Sequence, residues 1–268
     1  MTRGDRPDSL ESIEGLQFPK PDSYDHRYTS VVTYDHLREM IITGVLPPGT
    51  ELKQSVLAKE FGVSRTPLRE ATRRLQSEGL ITLEVNQRAI VSGLDVSEID
   101  ALYGIRIALE AHGLRVSTGR LSAKEVRIAR TFLNEMWQAG KRMDLRGWTS
   151  AHLRFHEALV VEAGSHSASA MMRLAQECDR YLFVYHRTRP RAPQSRHQEH
   201  VELLAAVQGD DVELSGRLVA RHLATTAIDL IHDLDPRRGV TAIKSALELV
   251  DPGGGCAWLE AHTESASI

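Results

Sequence analysis

Between residues 95 and 233 the apolar positions recur at intervals of three and four, the period of one face of an α-helix. The series opens with Val96, Ile99, Leu102, Tyr103, Ile105 and Leu109. The same spacing predicts helices over roughly 122–140, 145–163, 168–188, 194–208 and 211–233, with a short one over roughly 238–250. Ser97, Ser122 and Ser167 stand where N-caps are wanted, and Ser122 with Glu125 matches a capping box. DPGGG then interrupts the pattern, and the last residues read as a frayed tail.

Upstream the pattern is different. Residues 1–28 carry three prolines and no periodicity, which predicts a disordered arm. Residues 29–93 then alternate short helical stretches with turn signals: a helix over roughly 30–43 closed by Gly44, the turn LPPGTEL, and helices over roughly 54–60 and 65–78 stopped by Gly79. ITLEV and AIVSGL, joined by NQR, follow as two short strands. The chain therefore divides into an arm (1–28), a winged helix-turn-helix unit (29–93), an all-helical antiparallel bundle (95–233), and a short helix with a flexible tail (234–268). The fold class is mainly α.

Composition narrows the setting. No apolar run approaches the ~20 residues that cross a membrane, and the polar N-terminus MTRGDRPDSLESIEG has no signal-peptide core. Two cysteines in 268 residues indicate a reducing compartment. The chain reads as cytoplasmic. Its net charge of -3 excludes a uniformly basic surface but not a local one.

One local basic surface is evident in FGVSRTPLREATRRLQSEGL. Leu57, Ala58, Phe61, Val63, Leu68, Ala71 and Leu75 supply the seam of two packed helices, and Gly62 sits in the turn between them. The outer face of the second helix carries Arg65, Thr66, Arg69, Arg73 and Arg74, with Ser64 placed to cap it. A recognition helix needs this arrangement: its first turns enter the major groove of double-stranded DNA, where arginine grips guanine with two hydrogen bonds. The other cations and the helix N-terminus set register on phosphates. A solvated arginine-rich helix is the plainer alternative. Four arginines between a turn of the right shape and a two-stranded wing favour DNA.

The segment from YDHLREM to AIVSGL is similar to the N-terminal domain of the GntR transcriptional regulators. The element from Gly44 to Gly49, LAKEFGVSRTPLREA, and RLQSEGL carry the resemblance. It implies base and phosphate contacts from Ser64, Arg65, Thr66 and Arg69, with the wing in the minor groove. That family has Arg-Gly at the wing tip where this chain has Arg88-Ala89. Alanine tolerates a positive φ poorly, so the bend of the wing is open while Arg88 stays available.

A second constellation is made of histidines. His152 and His156 are four apart and share a helix face. Alone, such a pair is more often a surface feature than half of a metal site. His200 lies on a stripe with Leu203, Leu204 and Val207, and His222 follows Leu218 and Val219, so both face the bundle interior. Helix bundles build metal sites from side chains converging in this way. A zinc peptidase would need HExxH, and the pentad here is HLRFH. No phosphate loop or nucleophile elbow appears, so an enzyme is not expected.

The helical region resembles the FCD group, the ligand-binding domain of FadR-type GntR regulators. Arg106 with Leu109-Glu110, Phe155-His156, and Glu199-His200 followed 22 residues later by His222 carry that resemblance. It implies a bundle around a small-molecule pocket floored by a divalent metal, held by one carboxylate or amide and three histidines. His152 stands where the family has Asp or Asn. Neutral imidazole suits Zn2+ or Ni2+, giving the set His152, His156, His200 and His222, with His197 a less favoured substitute. Four neutral ligands leave the ion's charge intact, which favours an organic-acid effector. Arg106 has two readings, an ion pair with Glu110 at i,i+4 or a clamp for the effector carboxylate. The expected protein is an effector-controlled repressor acting as a homodimer on a palindromic operator, since one winged helix reads too little DNA. A direct metal-ion sensor, and a metal-dependent enzyme with a DNA-binding head, are the alternatives.

Overall fold

The computed structural model describes residues 29–84, 88–93, 95–189 and 192–265, so the expected arm over 1–28 and the final three residues lie outside the description. The chain divides between residues 94 and 95 into two compact units.

The first unit holds α1 (Thr29–Ile42), α2 (Gln54–Phe61), α3 (Arg65–Ser77), β1 (Ile81–Leu83) and β2 (Ala89–Val91). Helix α1 packs along α3, and Leu37, Met40, Leu46, Leu57, Phe61, Leu68 and Leu75 close the core. Gly62 makes the turn between α2 and α3 in the left-handed conformation, φ 65°, and its N–H returns to the carbonyls of Ala58 and Lys59. A side chain there would meet the steric penalty that glycine avoids. β1 and β2 pair antiparallel, with Leu83 opposite Ala89. Ala89 shows no positive φ; among the described residues only Met143 does so without being glycine. The steric conflict expected at Arg88-Ala89 therefore does not arise at Ala89. LPPGTEL does more than turn. Leu52 donates to the Ala89 carbonyl at 2.7 Å, and Val91 donates to that of Thr50 at 2.9 Å, adding a short third edge to the wing.

The second unit is helical throughout its described residues: α4 (Val96–Ser117), α5 (Ala123–Lys141), α6 (Leu145–Leu159), a single 3-10 turn, α7 (Ser165–Thr188), α8 (Ala192–Ser195), α9 (His197–Gln208), α10 (Val212–Leu234), α11 (Thr241–Val250) and α12 (Gly254–Ser265). The capping box at Ser122 and Glu125 is formed. Two expected caps differ. Asp95, not Ser97, caps α4 by accepting from the Ser97 N–H, and α7 starts at Ser165 after Gly164, two residues before Ser167.

Helix α4 is central, packed against α7, α10 and α11. Its buried face runs through Ile99, Tyr103, Arg106, Ile107, Glu110, Ala111 and Leu114, whereas Ile105 is exposed. An apolar period alone misses this. Three covering helices bury an arc wide enough to enclose three charged residues, Asp100, Arg106 and Glu110. The predicted tail is also ordered: Gly254 and Gly255 donate to the Asp251 carbonyl, and α12 lies on α11 with Leu259 buried. A Cβ on Gly255 would overlap the Leu247 carbonyl, so the glycines allow the close turn. Among the described residues no helix is long and apolar enough to cross a membrane.

Asp100 ties the unit's ends together. From α4 it accepts hydrogen bonds from Ala242 N (2.9 Å) and Ile243 N (3.0 Å), capping α11 across 142 residues of chain. Replacing it leaves two backbone donors at a helix start unmet, that of Ile243 buried. Asp100→Ala is expected to destabilise the protein by about 1–2 kcal/mol in urea unfolding, as cap removal does. Asp100→Asn, which keeps an acceptor, should cost less.

Candidate functional site

The amphipathic period of α3 sorts its residues cleanly. Leu68, Ala71, Thr72 and Leu75 are buried, while Ser64, Arg65, Thr66, Arg69 and Arg73 are exposed together. Ser64 occupies the N-cap position with extended backbone, but its side chain makes no capping bond. The hydroxyl and the first N–H groups of α3 are thus left for an anion. Arg74 is different. Its guanidinium lies 3.6 Å over the Tyr34 ring and bonds Glu78 at 3.3 Å, and Tyr34 donates to the same carboxylate. Arg74, though exposed like its neighbours, links α3 to α1 through these contacts, which the sequence did not reveal. Arg88 bonds Glu84 at 2.9 Å at the foot of the wing, and residues 85–87 lie outside the description.

In the helical unit, α6 contributes His152 and His156, α9 contributes His200, and α10 contributes His222. All four are buried, and one ligand atom from each lies within 4.8 Å of the others. Two nitrogens on opposite sides of one ion at ~2.1 Å each stand about 4.2 Å apart, so a single ion would draw the four nitrogens somewhat closer than the 4.8 Å they span. Three of the rings are oriented from behind. His156 donates from Nδ1 to Glu110 at 2.9 Å, His222 to Glu199 at 2.7 Å, and His200 to the Arg196 carbonyl at 3.0 Å. Metal-binding histidines are held this way, with one nitrogen tied to an acceptor and the other left for the ion. Nε2 of His156 and of His200 is buried with no partner. That is an open ligand atom in a site where an unmet polar group is costly.

His152 is held by a ring contact. It stacks on Trp148 at 4.6 Å and 18°, and among the described residues its ring makes no hydrogen bond. Burial, then the neighbouring histidines, push His152 and His200 well below the ordinary imidazole range. Burial also lowers His222, against the opposing pull of Glu199. All three are neutral near pH 7, the form that binds metal.

Arg106 belongs to the same neighbourhood but is occupied. Its Nε meets Glu110 Oε1 at 2.5 Å, with both side chains 3% exposed. Burial alone would raise the Glu110 pKa; the charges of Arg106 and His156 more than offset it and bring it down to about 2. Of the two readings of Arg106, this geometry is the ion pair. The expectation that the site keeps an ion's full charge also needs revision: no carboxylate is among the four converging residues, yet Glu110 and Glu199 stand directly behind two of them.

Sequence reading missed the orienting role of Glu110 and Glu199, the Trp148 stack, and Arg196, which bridges Asp229 (2.8 Å) and Glu199 (3.7 Å). Period and motif place Glu199 beside His200, but its hydrogen bond goes to His222 on another helix. His197 is outside the cluster and lies tilted against Trp137, with ring centroids 4.6 Å apart.

Comparison with known proteins bears on both units. Residues 29–91 match the model of bacterial regulatory proteins of the gntR family, and residues 101–225 match the FCD domain. An HTH-type transcriptional regulator from the TAR-I ttuE-ttuC' intergenic region of Agrobacterium vitis is 35% identical over 153 residues, 56% of this chain and 90% of its own length. The transcriptional repressor GlaR of Escherichia coli is 30% identical over 207 residues, covering 74% of this chain and 93% of that one. Among solved structures, E. coli McbR/YncC superposes with a TM-score of 0.64 over 77% of this chain and 99% of its own, at 21% identity, which supports the fold alone.

The two readings of Arg106 separate by stability. Arg106→Met in metal-free protein leaves Glu110 buried beside one imidazole, and removing one partner of a buried pair costs about 3–5 kcal/mol. Denaturant unfolding should show a loss of that size. A change within ~0.5 kcal/mol, usual for a position without such a partner, would return Arg106 to the role of a free clamp.

Proposed function

Because the chain belongs to the gntR family of bacterial regulatory proteins, carries an FCD domain and is a transcriptional regulator, we propose that it represses transcription under the control of a small organic acid bound at a divalent metal ion. The observation that carries this reading is the histidine cluster: four buried imidazoles from three helices, converging within 4.8 Å, with open nitrogens on His156 and His200. His152, His156, His200 and His222 would hold the ion, and a donor set of neutral nitrogens suits Zn2+ or Ni2+. The bound ion supplies a Lewis-acidic anchor for one carboxylate.

In the first unit, the start of α3 enters the major groove, Arg65 and Arg69 read bases, and Ser64, Thr66 and Arg73 contact base edges or phosphate. Arg88 is carried by the wing. A single such unit reads too few base pairs for strong selectivity, so the protein works as a homodimer on a palindromic operator. The effector acts by binding one arrangement of the two reading heads better than the other. Its influence on operator affinity is limited to that difference.

Metal content decides first. Protein purified without tag or chelator is expected to carry close to one Zn2+ or Ni2+ per chain by inductively coupled plasma mass spectrometry, and His156→Ala to lose most of it. No metal in the native protein, even after incubation with either ion, would sink the reading. Operator fragments selected from random DNA then separate the signals by fluorescence anisotropy. Organic acids added to metal-loaded protein should shift affinity, and the ion added alone should not; the reverse result would make the protein a metal sensor.

The division of α3 gives a second expectation. Arg69→Ala should weaken selected DNA by about 1–3 kcal/mol and relax preference at one base pair, with an unchanged melting temperature. Arg74→Ala should lower the melting temperature and leave base preference intact. The opposite pattern would reverse their roles.

A further inference from the structure

The last two helices lie beyond the FCD match, which ends at residue 225, yet they are tied to the bundle. Helix α4 holds both ends of α11. Asp100 caps its start, and Arg115 donates to the Val250 carbonyl at its finish, at 2.6 Å. Helix α12 then packs on α11 and reaches the surroundings of His222 at two points. Arg221, the neighbour of His222 on α10, bonds Asp251 at 3.0 Å, and its guanidinium lies 5.9 Å from the centre of the Trp258 ring. Trp258 in turn stacks on His262, with centroids 4.9 Å apart and planes at 16°.

The second point is Glu199, which accepts from His222 Nδ1. Burial favours the neutral acid there. The His222 hydrogen bond and charge, the Arg196 charge and, least, the His262 imidazole outweigh burial and hold Glu199 below the usual carboxylate range. The two carboxylates behind the cluster differ in one respect. Glu110 is fixed at both oxygens, by Arg106 at Oε1 and His156 at Oε2. On Glu199 the contacts with His222 and Arg196 both fall on Oε2, which leaves Oε1 to accept. His262 Nε2 is buried with no hydrogen-bond partner, and a buried polar atom of that kind is costly unless met. An N–H donated from this ring to Oε1 would give Glu199 the two-sided hold that Glu110 already has.

We propose that His262 is a positioning residue for the metal site: it fixes the carboxylate that orients His222, so that α12 and the metal ion strengthen each other's hold on the bundle. This rests on the metal reading of the previous subsection and adds to the site an element outside the FCD match. The coupling is reciprocal. The factor by which metal steadies α12 equals the factor by which a docked α12 raises metal affinity.

The affinity of full-length protein for Zn2+, measured by competition with a chelating dye, tests the relay. Losing the partner of a metal-binding histidine costs about 10–100-fold in affinity, and Glu199→Ala is expected in that range. His262 acts one step further out, so His262→Phe should cost about threefold to tenfold. Phenylalanine keeps a ring against Trp258 and removes the N–H, whereas His262→Gln keeps an N–H and should regain most of the loss. In Glu199→Ala protein, adding His262→Phe should cost nothing more, because the path is already cut. The metal-free melting temperature of His262→Phe should not fall, since an unmet polar group has become apolar. Hydrogen exchange in α12 of native protein should slow on Zn2+ loading. Native affinity in His262→Phe, an equal loss in His262→Gln, a full further loss in the Glu199→Ala background, or α12 exchange indifferent to Zn2+ would overturn the assignment and leave the metal reading standing. Native protein that takes up no Zn2+ would overturn both.

Discussion

The interior of the helical unit depends on Glu110. A carboxylate 2% exposed stays ionised only if neighbouring positive charge and hydrogen bonds outweigh its loss of hydration. Arg106 on the same helix supplies the charge at one oxygen, and the Nδ1–H of His156 supplies a bond at the other. Glu110 thereby joins α4 to α6. It also selects the tautomer of His156 with the proton on Nδ1 and the lone pair on Nε2. Without Arg106, the Glu110 carboxyl would be pressed to take up a proton, and its hold on His156 would weaken.

The pattern recurs on the opposite side. Glu199 orients His222, and Arg196 lies within 3.7 Å of Glu199 while its own backbone carbonyl orients His200. Two carboxylates and two guanidiniums thus surround four buried imidazoles, and burial keeps those of His152, His200 and His222 neutral. The negative charges that a site with an aspartate ligand would place on the ion sit one bond further out here. A carboxylate one imidazole away still attracts the ion, but leaves the inner positions to neutral donors. His152 lacks such a partner and is positioned by the Trp148 face instead.

The first unit shows how packing divides a set of like charges. Arg69, Arg73 and Arg74 are close in sequence and equal in chemistry. Glu78 and the Tyr34 ring engage Arg74 because it stands on the α1 side of α3, while Arg69 and Arg73 project from the opposite arc. The free arc coincides with the exposed helix start at Ser64, where unbonded N–H groups add positive potential. Positive charge is concentrated on that arc without a basic protein, which reconciles a net charge of -3 with a nucleic-acid partner.

How much of this was legible in the sequence follows from the range of each interaction. Periodicity is local, and it located the helices, the seam of α2 and α3, and the inward faces of His200 and His222. Identity in a short motif is local as well, and it picked out HLRFH and Arg106 with Glu110. Partner choice is not local. Whether Arg106 turns to Glu110 or to a ligand, whether Arg74 faces Tyr34 or solvent, and which histidine Glu199 bonds are all set by helices distant in the chain. The exposed Ile105 and the buried Glu110 make the same point from the packing side. Three helices close over α4 on an arc that no single apolar stripe marks, and a charged residue enters that arc when other elements bring its countercharge. His186 is the extreme case. Its position on α7 reads as ordinary amphipathic spacing, and only the completed bundle reveals an imidazole enclosed with nothing bonded to either nitrogen.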